Sequence, residues 1–386
     1  MPVTLTEIAA RAGVSQPVVS TVLNCVKGRS RVSAATRRRI HDVARRMGYA
    51  PNLSAQILRG KSSKAIGIYS GALQIATAAT RQNLLTARAA AAGYQVFMDI
   101  LPQRDDYETL RKRVLGLLSR RLDGLILLSQ LPDDLRRLID MPSVALSAPF
   151  GECPVEYPDI AHDQAVGGHM AGKHLLGHGH RRAVFLCSRL ASNRPKFDGL
   201  RRAWEEAGFS PEACAVVAAI DSDDRAVGVA ESASPQVEAD LLRRVKTGGA
   251  TCILASNDYV AARAMLFLRR SGVRVPEDVA LIGFDGAPFA YLTDPPLTTI
   301  IQNFELEADM AIALLLERIA SGNGNSHPAA PVAVSPLFFA GATCGCPAPS
   351  VPLLAWTDDL LTLNERFPHR ISDNVPEAIS APSQYI

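Results

Sequence analysis

The sequence contains no run of about eighteen consecutive apolar residues, so nothing in it is built to cross a membrane. Its opening residues, MPVTLTEIAARAG, lack the basic patch and apolar block of an export signal. Cysteine is sparse and dispersed: Cys25, Cys153, Cys187, Cys214, Cys252, Cys344 and Cys346. An odd, scattered set without an export signal reads as reduced thiols of a cytoplasmic protein. Only Cys344-Gly-Cys346 is closely spaced. With no second pair recognisable beside it, the sequence offers too few ligands for zinc, and no metal is expected. His178 and His180 read as surface turn residues. Neither GxGxxG nor GxxxxGK[ST] follows a strand-like run, so no nucleotide cofactor is expected. No nucleophile–base grouping stands out either, and an enzyme is not the expectation.

What the chain has is size and an uneven distribution of charge. Its 386 residues, 47% of them hydrophobic, suffice for two or three domains with their own cores. The net charge is +3, yet residues 1–64 carry twelve Lys and Arg against Glu7 and Asp42 alone, a local +10. The remaining residues, with 29 bases and 36 acids, total −7. A basic head on a mildly acidic body is the footprint of phosphate contact confined to one end.

Residues 1–48 read as three short helices. Thr4 and Glu7 have the spacing of a capping box, so a helix begins near Leu5 and runs to Ala12. Gly13 supplies a left-handed turn and Val14 returns to the core. Ser15 is placed to start a second helix reaching about Leu23. Ser33 caps a third, Thr36 to Met47, with Ile40, Val43 and Ala44 inward and Arg37 among the solvated or phosphate-touching arginines. Ile8, Ala9, Val14, Val19 and Val22 are spaced to pack the first two helices at a steep angle. The second is thereby left free to enter a major groove.

The stretches VTLTEIAARAGVSQPVVSTVLN and RVSAATRRRIHDVARRMGYAPNLSAQILRG resemble the N-terminal signature of the lactose/galactose repressor family. In that family the early positions of the second helix read bases. The resemblance therefore implicates Ser15, Gln16, Pro17, Ser20, Thr21 and Asn24, with Gln16 best suited to pair its amide with adenine N6 and N7. Thr21, one turn along, is placed for a thymine methyl or a phosphate. Pro17 offers apolar contact only, at a helix position where its missing N–H costs little. Residues 49–62 read as a short helix and flexible link. The resemblance makes them a hinge that pairs across a dimer axis, wedges Leu58 into the minor groove and lays Arg59 along it.

From residue 63 to 343, apolar strand-like runs alternate with helical stretches. This pattern describes parallel, doubly wound sheets in two series, hence two lobes with a cleft at their strand C-terminal ends. The expected division is 63–161 plus 293–322 for lobe one, and 162–292 plus 323–343 for lobe two. The segments HDQAVGGHMAGKHLLGHGHRR and SNDYVAARAMLFLRRSGVRVPEDVALIGFDGAPFAYLTDPPLTTIIQN resemble the family's sensor core, itself similar to periplasmic sugar-binding proteins. Asp258 matches that family's ligand-binding aspartate, its competing role being a helix N-cap. Lys196 stands where relatives have an effector-binding arginine and cannot make the bidentate fork; Arg194 is placed to substitute. Gln302 matches a residue near the lobe crossover, and Phe289 and Tyr291 have rings that could stack on a ligand. Residues 344–386 extend beyond the family core without a sustained heptad, which favours a dimer over a tetramer. The expected whole is an all-α helix-turn-helix head on an α/β periplasmic-binding-protein-like core. Such a homodimer binds a near-palindromic double-stranded operator at the nucleoid, under control of a sugar-like effector, with no cofactor.

Overall fold

The computed structural model describes residues 3–23, 32–49, 62–70, 76–100, 106–129, 131–146, 158–220, 235–322 and 330–348. The expectations for Asn24, Leu58, Arg59 and the C-terminal extension beyond residue 348 lie outside the described residues. The chain divides into two compact units, 1–63 and 64–386.

The first unit holds α1 (Leu5–Ala12), α2 (Gln16–Leu23) and α3 (Ala34–Arg46). The Thr4–Glu7 capping box forms in both directions: Glu7 N–H donates to Thr4 Oγ1 at 3.3 Å and Thr4 N–H to Glu7 at 2.7 Å. Gly13 at φ 62° ends α1 in the left-handed conformation that other residues resist, and Val14 N–H donates to the Ala9 carbonyl. Ser33 caps α3 through Thr36 N–H at 3.2 Å. Ile8, Ala9, Ala12, Val19, Val22, Ile40, Val43 and Ala44 make one buried cluster, the inward set that the helical spacing selects.

The second unit contains two parallel sheets. The first has the order β2-β1-β3-β4, from β1 (Ala65–Ser70), β2 (Gln95–Ile100), β3 (Gly124–Leu127) and β4 (Ser143–Ala145). A bridge from Leu146 to Ile160 continues it to β5 (Ile160–His162), which pairs in parallel with β11 (Val332–Val334). Alternation sorts its strand residues to two faces. Ile66, Ile68 and Ile126 pack on α4 (Ala76–Ala91) and α11 (Phe304–Ser321). Tyr69, Leu125 and Leu127 pack on α5 (Tyr107–Leu118) and the single turn α6 (Asp133–Arg136).

The second sheet has the order β12-β10-β9-β8-β6-β7. Its strands are β6 (Ala183–Arg189), β7 (Cys214–Ile220), β8 (Cys252–Ala255), β9 (Ala280–Asp285), β10 (Thr298–Ile301) and the antiparallel edge β12 (Leu337–Phe339). One face carries α7 (Gln164–Gly177) and α8 (Leu190–Glu206), with Phe185, Leu254 and Phe284 meeting Leu175, Leu200 and Trp204. The other carries α9 (Pro235–Lys246) and α10 (Asp258–Arg270), over Val184, Ile253 and Leu281.

The lobe boundaries differ from the sequence reading in two places. Residues 298–301, expected in lobe one, form β10 and pair with β9 and β12 in the second sheet. Residues 332–334, expected in lobe two, form β11 beside β5. Both are strands of three or four residues adjoining a crossover, too short for apolar alternation to assign to a sheet. The chain thus passes between sheets after β5, after β10 and again between β11 and β12.

Two buried ion pairs anchor α11 to the first lobe. Arg81 donates to both Glu307 oxygens, at 2.6 and 2.5 Å, with His162 Nε2 3.3 Å from the same carboxylate. Arg318 grips Asp159 at 2.8 and 3.1 Å, and Asp159 also accepts from Ala145 N–H.

Candidate functional site

In the head, the residues proposed from sequence occupy one short run. Ser15, Gln16 and Pro17 are exposed at the leading turn of α2, while Ser20 and Thr21 are half-buried. Their display follows from packing, because α2 turns Val18, Val19 and Val22 to the core and leaves Ser15, Gln16 and Pro17 outside it. The Ser15 carbonyl accepts from Val18 and Val19 N–H and opens the helix. Thr21 differs from expectation in one respect: its hydroxyl donates back to the Pro17 carbonyl at 2.8 Å, which leaves its methyl to face a partner. Arg37, Arg38 and Arg39 are exposed on α3.

In the second sheet, four strand C-termini deliver polar side chains to one buried cluster. Beyond β6, α8 supplies Lys196, whose Nζ donates to the Ser256 carbonyl at 2.7 Å and lies 3.5 Å from Asp285 Oδ1. The ammonium also sits 4.1 Å from the centroid of Phe284. Past β8, Asn257 caps α10 through Val260 N–H, so the capping role considered for Asp258 falls to its neighbour. Asp258 instead accepts from Ala287 N–H at 2.5 Å and from Thr299 Oγ1 at 2.6 Å. A side chain at Gly283 would collide with this carboxylate, which is why β9 carries glycine there. At the end of β9 is Asp285, and beyond β10 Gln302 donates to Asp285 Oδ1 at 2.6 Å.

Asp285 was not singled out from the sequence. Its backbone carries the signal: a φ of 102° at a non-glycine residue, followed by Gly286 at 73°. Such strain persists only where surrounding contacts hold it, and it gathers at functional sites. Burial raises the Asp285 carboxyl and lowers the Lys196 ammonium, each opposed by the other's charge. Burial and the Asp285 charge push Asp258 well above the usual carboxylate range. The site therefore holds two carboxyl groups and one amine away from water, an arrangement that depends on the hydrogen bonds among them and their neighbours.

The remaining sequence candidates stand apart from this cluster. Arg194 is exposed and pairs with Asp198 at 3.1 Å on its own helix, rather than substituting for Lys196. Phe289 meets Tyr259 edge-on at 4.7 Å, and Tyr291 meets Phe339 at 4.5 Å, so both rings have protein partners.

A displayed helix-turn-helix and a two-sheet core with a polar site at its strand ends together define a DNA-binding transcriptional regulator. Comparison with known proteins agrees. Residues 4–52 match the model for bacterial regulatory proteins of the lacI family, and residues 173–344 match a periplasmic binding protein-like domain. The chain is 28% identical over 325 residues to the lactose operon repressor of Escherichia coli K12, covering 82% of this chain and 84% of that one. It is 27% identical to the transcriptional repressor PurR of Mannheimia succiniciproducens, covering 82% and 92%. Among solved structures, the lac repressor dimer bound to operator and the anti-inducer ONPF superposes with a TM-score of 0.70 at 26% identity, covering 89% of this chain and 99% of that one. The regulator CelR with cellobiose gives 0.57 at 25% identity, covering 88% and 99%. The chain thus carries the DNA-binding domain of lacI-family bacterial regulatory proteins together with a periplasmic binding protein-like domain.

Proposed function

We propose that this chain is a repressor that binds a near-palindromic operator as a homodimer and is controlled by a small polar metabolite of sugar-like chemistry. The observation that carries the reading is the exposed leading turn of α2, standing off a complete apolar core in a segment of charge +10. Gln16 reads a base edge, Ser15, Pro17, Ser20 and Thr21 complete the contact face, and Arg37 fixes the head on the phosphates. Residues 49–62 serve as the hinge, with Leu58 the minor-groove wedge beside Arg59 and Asn24 closing the reading face. Dimerisation supplies two heads for two half-sites. Leu266, exposed at the rim of a 460 Å³ groove with Met265, Val273 and Val275, is a suitable subunit contact.

The effector reads Lys196, Asp285 and Gln302, while Asp258 braces the strand ends from beneath. His162, at the first crossover, lies close enough to Asp285 for its charge to favour the carboxylate. It also touches the Glu307–Arg81 pair that holds α11. A ligand that rearranges Asp285 thereby reaches the crossovers, and with them the relation between lobes. The protein acts in the cytoplasm at the nucleoid and performs no catalysis.

Selection of bound duplexes from a random pool by the purified full chain tests the reading, followed by titration of the recovered duplex with sugars. Recovery of a two-fold symmetric site supports it. Equal binding of all duplexes at physiological ionic strength would sink it.

A further inference from the structure

The fold joins two pairs of side chains that are far apart in sequence. His174 lies in the last turn of α7 and His178, four residues on, is its C-cap, with its N–H donating to the His174 carbonyl. Cys344 and Cys346 follow β12 and flank Gly345, whose φ of 93° folds the chain so that both sulfurs reach the same helix. His174 Nε2 is 3.2 Å from Cys344 Sγ and 3.6 Å from Cys346 Sγ, and His178 Nε2 is 3.3 Å from Cys346 Sγ. All four donor atoms lie within 4.8 Å of one another. The sequence reading missed this. It judged Cys344-Gly-Cys346 without a second pair and considered His178 with His180, whereas His180 turns away to Thr251.

We propose that His174, His178, Cys344 and Cys346 form a zinc site. Tetrahedral zinc with bonds of about 2.3 Å to sulfur and about 2.0–2.1 Å to nitrogen places neighbouring ligand atoms roughly 3.3–3.8 Å apart. The three histidine–cysteine separations fall at or near that range, so small rotations of the side chains would close the shell. Four protein ligands leave no open coordination position, which makes the site structural rather than catalytic. Its surroundings suit a thiolate. Thr298 Oγ1 donates to Cys344 Sγ at 3.0 Å, and Phe338 packs on the His174 ring at 4.5 Å. Binding converts both thiols to thiolates and releases two protons to solvent. The ion would bolt the segment after β12 to α7, the helix against which α8 and Lys196 pack.

Cobalt(II) titrated into the reduced full-length protein provides the test. A single cobalt per chain is expected, with the visible bands of a tetrahedral centre, thiolate-to-cobalt charge transfer, and bleaching when zinc is added. Cys346→Ser and His178→Ala, both at positions with some exposure, should lose that spectrum, and His180→Ala should keep it. Zinc should also shield Cys346 of the unmodified protein from iodoacetamide, a readout that needs no variant to fold. An octahedral cobalt spectrum without charge transfer, a spectrum unchanged in both variants, or alkylation indifferent to zinc would each overturn the proposal.

Discussion

The head and the second lobe place their candidate partner-facing groups in opposite ways. In the head the base-reading candidates lie on one seven-residue run, exposed at Ser15, Gln16 and Pro17 and half-buried at Ser20 and Thr21, and none belongs to the buried apolar cluster beneath. In the second lobe the candidate groups come from four strand ends spread over residues 196–302, and all are buried, with Lys196 and Gln302 held on Asp285 and Asp258 held by Thr299 and the Ala287 N–H. A displayed side chain can change without disturbing its support. A buried polar cluster belongs to the support, so the same substitution alters fold and ligand response together. Recognition can therefore diverge rapidly in the head and only by coupled changes in the core.

The largest expected effect tests whether polar groups in the core carry the fold. Arg81→Ala leaves Glu307 buried without its bidentate partner, and loss of one member of such a pair costs about 3–5 kcal/mol. Chemical denaturation of the variant measures it. Acid gives a second view of the same pair. Burial alone would raise the Glu307 carboxyl, but Arg81 and His162 outweigh it and hold the value at about 2. A folded value below the unfolded one means stability present above about pH 4.5 and lost as pH falls towards 2. Unfolding midpoints across that window should drop more steeply for the parent protein than for Arg81→Ala. Equal slopes would show that the pair does not couple folding to protons.

The next effect concerns how closely α7 and α8 approach. A methyl at Gly199 would collide with the Ala165 carbonyl, and one at Gly168 with the Lys196 carbonyl. Both obstacles are backbone, so the helices must part rather than a side chain swing aside. Gly199→Ala should cost about 1–3 kcal/mol through overpacking. It should also weaken effector response by shifting Lys196, with operator affinity in the absence of effector retained. A stable variant with normal response would mean that the helices have slack.

How much of this was legible in the sequence follows the same division. Capping residues, Gly13 and apolar spacing are local signals, and α1 to α3 formed within a residue or two of their expected bounds. The parallel strands were equally plain, because runs such as AVFLC and GLIL are buried on both faces. The crossovers were not: three- and four-residue strands carry too little pattern to choose a sheet. The helix holding Lys196 begins at Leu190 and carries Pro195 inside it, where a proline does not mark the helix start. Asp285 escaped notice because nothing in GFDG announces a positive φ at aspartate. The histidine–cysteine cluster escaped because its halves lie some 170 residues apart and meet only when β12 closes the sheet edge.

Within the head, reading and anchoring should separate. Gln16→Ala should relax preference at one base position by about 1–3 kcal/mol of discrimination. Arg37→Ala should weaken all sequences nearly alike and lower the salt slope by about 1. Competition binding against a panel of single-base operator variants distinguishes the two. A uniform loss for Gln16→Ala, or a base-specific one for Arg37→Ala, would reverse the assignment.

The smallest effect probes the claim that the head's support is independent of its reading face. Ser33 caps α3: its hydroxyl accepts from Thr36 N–H and meets the Thr36 hydroxyl. Ser33→Ala should cost about 1 kcal/mol, the usual worth of such a cap. The loss should appear as faster amide exchange in the first turn of α3 and slightly weaker binding to every duplex, because fewer heads are folded at any moment. Base preference should not move, since α2 keeps Val19 and Val22 in the same cluster. A shift in preference at any base position would mean that α3 sets the angle at which α2 meets DNA. Support and recognition in the head would then be coupled, as they are in the core.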